Sequence, residues 1–242
     1  MRWEPVTSST GLTYIITGKG KPLLFFHGFG ATIQGFSPLI EELAKTHMVL
    51  FPVIYSGPSQ LRDWGSTILA LLDELNIQQP ISIMGYSMGC VPAICSVIDS
   101  PQRFERLIII DGLLHHGIAT YLTASAQLSM SLINHILRIP DAHRTTTLVT
   151  DFVRTAWAYP ASMLHHVIAC SQHQTIEQLP AVSIPTLILW GKSDRVTPPS
   201  QAYQVHEKMK GSRLEMVEGD HLWGILHPEQ CADILNKISS SD

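Results

Sequence analysis

Apolar residues fall along this chain in short unbroken runs, separated by longer stretches with helical spacing. "KPLLFFHG" (21–28) is a continuous apolar run ending in glycine, the pattern of a strand buried on both faces. "HMVLFPVIYSG" (47–57) is a second run, and Pro52, which has no N–H to donate, predicts that its outer half is less regular. "ISIMG" (81–85), "RLIIIDG" (106–112), "IPTLILWG" (184–191) and "RLEMVEG" (213–219) repeat the pattern. In "LRDWGSTILALLDELN" (61–76) the apolar residues Leu61, Trp64, Ile68, Leu71, Leu72 and Leu75 share one helix face. Strands alternating with helices predict right-handed crossovers and a mainly parallel sheet. Extended pieces near Val6 and in "LTYIITG" (12–18) predict an antiparallel start.

The alternation stops after Asp111. Residues 113 to about 180 read as several helices without a strand, and then "IPTLILW" resumes the sheet. The expected organisation is a core of residues 1–112 and 181–242, with 113–180 as a helical cap inserted into the same structural unit. Such an insertion leaves from the carboxyl edge of the strands, where open α/β sheets bind ligands.

Composition narrows the function classes. The 242 residues are 45% hydrophobic and 15% charged, with a net charge of −4, enough for a large core. There is no basic run or aromatic-interleaved patch, which argues against a nucleic-acid partner. "MRWEPVTSSTGL" has no apolar signal-like stretch, and Cys90, Cys95, Cys170 and Cys231 form no C-x-x-C pair. A cytoplasmic protein with buried thiols is expected. Residues 112–137 contain no Asp, Glu, Lys or Arg, but His, Ser, Thr, Gln and Asn recur there. That predicts a partly apolar covering helix rather than a membrane span.

The chemistry gathers where the runs end. "GYSMG" (85–89) puts Ser87 between two glycines after a strand and before a helix, with Pro92 in the helix's first turn or so. In that context Ser87 is a candidate nucleophile on a strained turn; the bland reading is a structural Gly-Ser turn. A serine hydroxyl needs a base. His221, just after the last strand, is favoured over His227, because "HPEQ" looks like a helix start with Pro228 in the first turn. The base in turn needs an orienting acid. Asp194 lies on a post-strand loop, 27 positions before His221; its bland role is capping a turn. Asp111, which also tops a strand, is the competitor, and Asp220 is too close to His221 along the backbone to orient it. The backbone N–H groups of Phe29, in "FFHGFG" (25–30), and of Met88 are candidate oxyanion donors. His27 is expected to brace the first of these loops.

Seven of the twelve histidines (His115, His116, His135, His143, His165, His166 and His173) fall in the insertion, scattered rather than convergent, so no metal site is expected. Phe152, Trp157, Tyr159 and Met163 can pack the cap or line a pocket; Trp157, with Trp223 beside His221, is a candidate pocket residue.

With "HGFG", "GYSMG", "GKSD" and "GDH" in this order after strands, the chain resembles the α/β-hydrolase superfamily over nearly its whole length. The resemblance implies an α/β-hydrolase fold: a mostly parallel eight-stranded sheet flanked by helices, with a helical cap after the sixth strand. Ser87 matches the nucleophile, Asp194 the acid, His221 the base, and Phe29 and Met88 the oxyanion hole. The function it implies is cofactor-free hydrolysis of a small-molecule carboxylic ester, thioester or lactone through an acyl-enzyme. Two departures stand out. "VIYSGPSQ" (53–60) echoes the expected Arg- and Gly-rich loop only at Gly57 and Ser59, and Cys90 follows the motif where a small residue is usual. A menaquinone-pathway-like lyase is a rival reading, but Val91 and Pro92 stand where those lyases carry an arginine. A ligand-sensing receptor on the same fold is a third. Oligomeric state is not legible.

Overall fold

A computed structural model describes residues 3–115, 117–137 and 142–239; His116 lies outside them. Eight strands form one sheet: β1 (Val6–Thr7), β2 (Thr13–Thr17), β3 (Lys21–Phe26), β4 (His47–Pro52), β5 (Ile81–Tyr86), β6 (Phe104–Ile110), β7 (Thr186–Gly191) and β8 (Arg213–Val217). Their order is β1-β2-β4-β3-β5-β6-β7-β8. Only β1 with β2 and β2 with β4 pair antiparallel; the other neighbours are parallel. The antiparallel start and the parallel centre follow the expected arrangement, and β4 ends at Pro52 as the missing N–H requires.

Alternation along the central strands fills two cores. Leu24 and Phe26 of β3, with Leu107 and Ile109 of β6, face one side of the sheet. Leu23 and Phe25, with Ile108 and Ile110, face the other. The first side is covered by α2 (Trp64–Glu74), α3 (Cys90–Asp99) and α8 (Pro199–Lys208), the second by α1 (Ser37–Leu43) and α10 (Pro228–Ser239). Both faces are dry, which is why the strands read as unbroken apolar runs.

Between β6 and β7 the described chain is helical: α4 (Ile118–Ile136), α5 (Ala142–Ala158), α6 (Pro160–Gln172) and the single turn α7 (Thr175–Gln178). A last turn, α9 (Trp223–Leu226), lies between β8 and α10. Among the described residues no helix is long and apolar enough to cross a membrane. All four cysteines are buried free thiols.

Candidate active site

The carboxyl ends of β3, β5, β6, β7 and β8 bring the sequence candidates together. Ser87 follows β5 directly and has φ +53, a left-handed conformation unusual for a residue with a side chain. The flanking glycines make the turn possible. A Cβ on Gly85 would lie 2.5 Å from Cys90 Cα, and one on Gly89 would lie 2.4 Å from the carbonyl oxygens of Phe26 and His27. Cys90, the first residue of α3, is buried beside the turn, and its thiol donates weakly to the Ile110 carbonyl.

His221 lies on the loop after β8, with Nε2 2.9 Å from Ser87 Oγ and Nδ1 2.7 Å from Asp194 Oδ2. A carboxylate only accepts, so Nδ1 carries the proton and Nε2 is left to accept from the serine hydroxyl. Asp194 makes two sets of contacts. Its Oδ1 caps the turn, accepting the Val196 and Thr197 N–H groups at 2.7 and 2.9 Å, while Oδ2 receives His221 and the Thr197 hydroxyl. The Tyr86 hydroxyl donates to the His221 carbonyl at 2.7 Å and fixes the backbone of the histidine loop.

Asp111 stands behind this group with φ +47 and no exposure. Its Oδ1 accepts the Gly191 N–H at 2.7 Å, but among the described residues Oδ2 has no hydrogen-bond partner, and none joins Asp111 to His221. Burial, reinforced by the neighbouring Asp194 charge, pushes its carboxyl well above the usual range, which favours a neutral acid. Asp111, Asp194 and His221 bring ligand-type atoms within 4.8 Å of one another, the one such cluster among the described residues. The His221 nitrogens and both Asp194 oxygens already serve the hydrogen bonds above. His227 is exposed at the head of α10 and does not reach Ser87.

The loop after β3 is held from three sides. His27 is fully buried; its Nε2 accepts the Ile54 N–H at 2.9 Å and its Nδ1 donates to the Gly28 carbonyl at 2.8 Å. Desolvation lowers its pKa to about 4, so it is a neutral brace at ordinary pH. The Tyr55 hydroxyl accepts the Gly30 N–H at 2.7 Å. Asp151 of α5 accepts the Thr32 and Gly35 N–H groups at 2.6 and 2.8 Å. The loop after β4 thus finds its bracing in Tyr55 and in Ser56, whose hydroxyl accepts the Thr13 N–H.

Sequence reasoning missed Tyr55, Tyr86, Asp151 and Thr197, because each acts across a long separation or through a shared partner that no local pattern marks.

A small apolar chamber of about 40 Å³ opens on Ser87, walled by residues that include Phe29, Phe36, Leu128, Leu132, Phe152 and Ile225. Trp157 is not among them. It is 89% exposed on α5 and lines none of the described cavities, a correction to its expected place. Five residues from Phe152, it is turned about 140° around the helix, so both cannot face inward. Trp223 is buried and lines a second, polar cavity of about 390 Å³ that adjoins the chamber at His221.

Comparison with known proteins agrees with this architecture. Residues 23–234 match the model of the alpha/beta hydrolase family. The chain belongs to that family. A pimeloyl-[acyl-carrier protein] methyl ester esterase of Legionella pneumophila is 28% identical over 190 residues, covering 75% of this chain and 79% of the relative. The 3-oxoadipate enol-lactonase 2 of Acinetobacter baylyi is 25% identical over 185 residues, covering 72% and 68%. Among solved structures, the enol-lactonase from Burkholderia xenovorans superposes with a TM-score of 0.81 at 16% identity, over 98% of this chain and all of the other. This alpha/beta hydrolase is an enzyme by its family and by the esterases and lactonases it is similar to.

Proposed function

We propose that the protein is a cofactor-free serine hydrolase of carboxylic esters, acting through an acyl-enzyme on Ser87. The observation that carries the reading is the hydrogen-bonded series Ser87–His221–Asp194, at 2.9 and 2.7 Å, ending on a serine held at φ +53 beneath an apolar chamber. His221 Nε2 takes the hydroxyl proton as Ser87 Oγ attacks the carbonyl. Asp194 holds the imidazole in the tautomer that can do so and stabilises the imidazolium that forms. The N–H groups of Phe29, on the loop after β3, and of Met88, in the turn after β5, receive the oxyanion; on the first loop Tyr55 and Asp151 hold the Gly30, Thr32 and Gly35 amides.

The imidazolium then protonates the departing alkoxide. Water, deprotonated by the same nitrogen, releases the acid and restores Ser87. Each step is a proton transfer or an acyl transfer, and the chain supplies every group required. A lactone differs only in that its alcohol stays attached to the acyl group, and the relatives named above include both esterases and lactonases. In this reading the helices between β6 and β7 are a cap over the site, since Leu128, Leu132, Leu148 and Phe152 roof the chamber.

Ser87→Ala is expected to abolish turnover of an activated aryl ester and labelling by a fluorophosphonate probe while leaving the fold intact. Full activity in that variant would overturn the mechanism.

A further inference from the structure

The polar cavity on the far side of His221 has no role in the chemistry just described, and its lining is unlike that of the chamber at Ser87. One helix separates the two. Leu128 and Leu132 of α4 face the chamber, while Gln127, Ser131, Asn134 and His135 of the same helix line the polar cavity. Residues three and four apart share a face, so these are two stripes on adjoining sides of α4. The opposite wall comes from the loops after β7 and β8, which carry Asp194 and His221 themselves.

The two charged side chains of this cavity differ in how they are met. Asp220 is the one acid that lines it, and it is satisfied internally: Oδ2 accepts from Ser131 at 2.5 Å and from His135 at 3.0 Å, and Oδ1 accepts the Leu222 N–H at 3.0 Å. Lys192, three residues before Arg195, is paired with Glu218. Arg195 lines the cavity, is exposed, and among the described residues has no hydrogen-bond or ion-pair partner. A guanidinium offers a planar fork of donors and no acceptor, which suits an anionic oxygen group better than a neutral one.

We propose that this cavity is the subsite for an anionic group, carboxylate or phosphate, borne by the ester substrate at a distance from the reacting carbonyl, with Arg195 as its counter-charge and determinant of specificity. The inference rests on the esterase reading and names its substrate class: esters that are apolar next to the carbonyl and anionic beyond it. His221 lines both the chamber and the cavity, so the proposed subsite lies next to the imidazole, on the side away from Ser87.

The test uses monomethyl esters of straight-chain dicarboxylic acids of graded length. Each is paired with the neutral ester whose far end is a primary amide, and an ω-phosphorylated methyl ester forms a third arm. The wild-type enzyme should prefer the charged member, with an optimum at one chain length. In Arg195→Gln the charged-to-neutral ratio of kcat/KM should fall about tenfold, mainly through KM, and Arg195→Lys should restore part of it. Calorimetry of the preferred half-ester with Ser87→Ala and with Ser87→Ala/Arg195→Gln should show the same weakening without turnover. Whichever of the carboxylate and phosphate arms is favoured identifies the anion. Equal rates for charged and neutral esters in the wild type, or an unchanged ratio in Arg195→Gln, overturn the subsite and leave the esterase standing. Absence of turnover on every ester overturns the esterase reading and the subsite with it.

Discussion

Two buried aspartates flank one histidine, and their hydrogen-bonding surroundings differ. Asp194 accepts four hydrogen bonds, from two backbone amides, a hydroxyl and the imidazole. Asp111 accepts one backbone amide and leaves an oxygen bare in a dry site beside a like charge, which favours the neutral form. An amide resembles a neutral carboxylic acid and not a carboxylate. Asp111→Asn is therefore expected to keep activity on an aryl ester within several-fold of the wild type. Asp194→Asn removes the acceptor that sets the imidazole tautomer and should lower kcat by about 10⁴-fold. Steady-state rates of the two variants, measured side by side, decide between the acids; a larger loss at Asp111 would reverse their roles.

At the scale of elements, the loop after β3 depends on a helix more than a hundred residues away. Asp151 is buried and holds the Thr32 and Gly35 amides, and the next residue of α5, Phe152, sets its ring edge-on against Phe29 at 5.8 Å. Asp151→Ala leaves two backbone donors without their acceptor, at about 1–3 kcal/mol for each one kept from water. Melting temperature should fall by several degrees. Because Phe29 lies on the same loop, kcat should fall as well, with KM changing less. A stability loss with unchanged kcat would mean that this anchor does not position the Phe29 amide for the proposed chemistry.

Such long-range anchoring is also where the sequence ceases to be readable. The strands are legible because a run buried on both faces has only one use, and Ser87, Asp194 and His221 are legible because each tops such a run in a set order. Asp151 is an acid in an amphipathic helix like many others until the fold brings Thr32 beneath it. Phe152 and Trp157 are equally aromatic, and only the placement of the core decides which turns inward.

For the molecule as a whole, the helical insertion is joined to the sheet by polar ties at its rim as well as by packing. Arg144 of α5 donates to the Leu226 carbonyl and pairs with Glu229, Arg154 donates to Gln34, and Ser131 and His135 of α4 hold Asp220, the residue just before His221. The last of these connects the insertion to the histidine loop through a charge. Burial alone would raise the Asp220 carboxyl, but the Ser131 bond, the Leu222 amide and His135 outweigh it and hold its pKa below the ordinary value. A depressed folded pKa contributes stability above the unfolded value, near 3.9, and loses it as pH falls through the folded one. Asp220→Asn keeps the shape and removes the charge, so a bond to a charged group, roughly 1.5–3 kcal/mol, is at stake at pH 7. In a chain of this size each kcal/mol moves the melting temperature by about 2–4 °C. The variant should therefore melt several degrees below the wild type from pH 5 to pH 7, and the two curves should begin to approach one another only as pH falls below about 4, toward the lower pKa at which folded Asp220 takes up a proton. A difference that stayed constant down to pH 3 would mean that the tie depends on fit rather than on charge, and that the histidine loop is held to the insertion without electrostatic help.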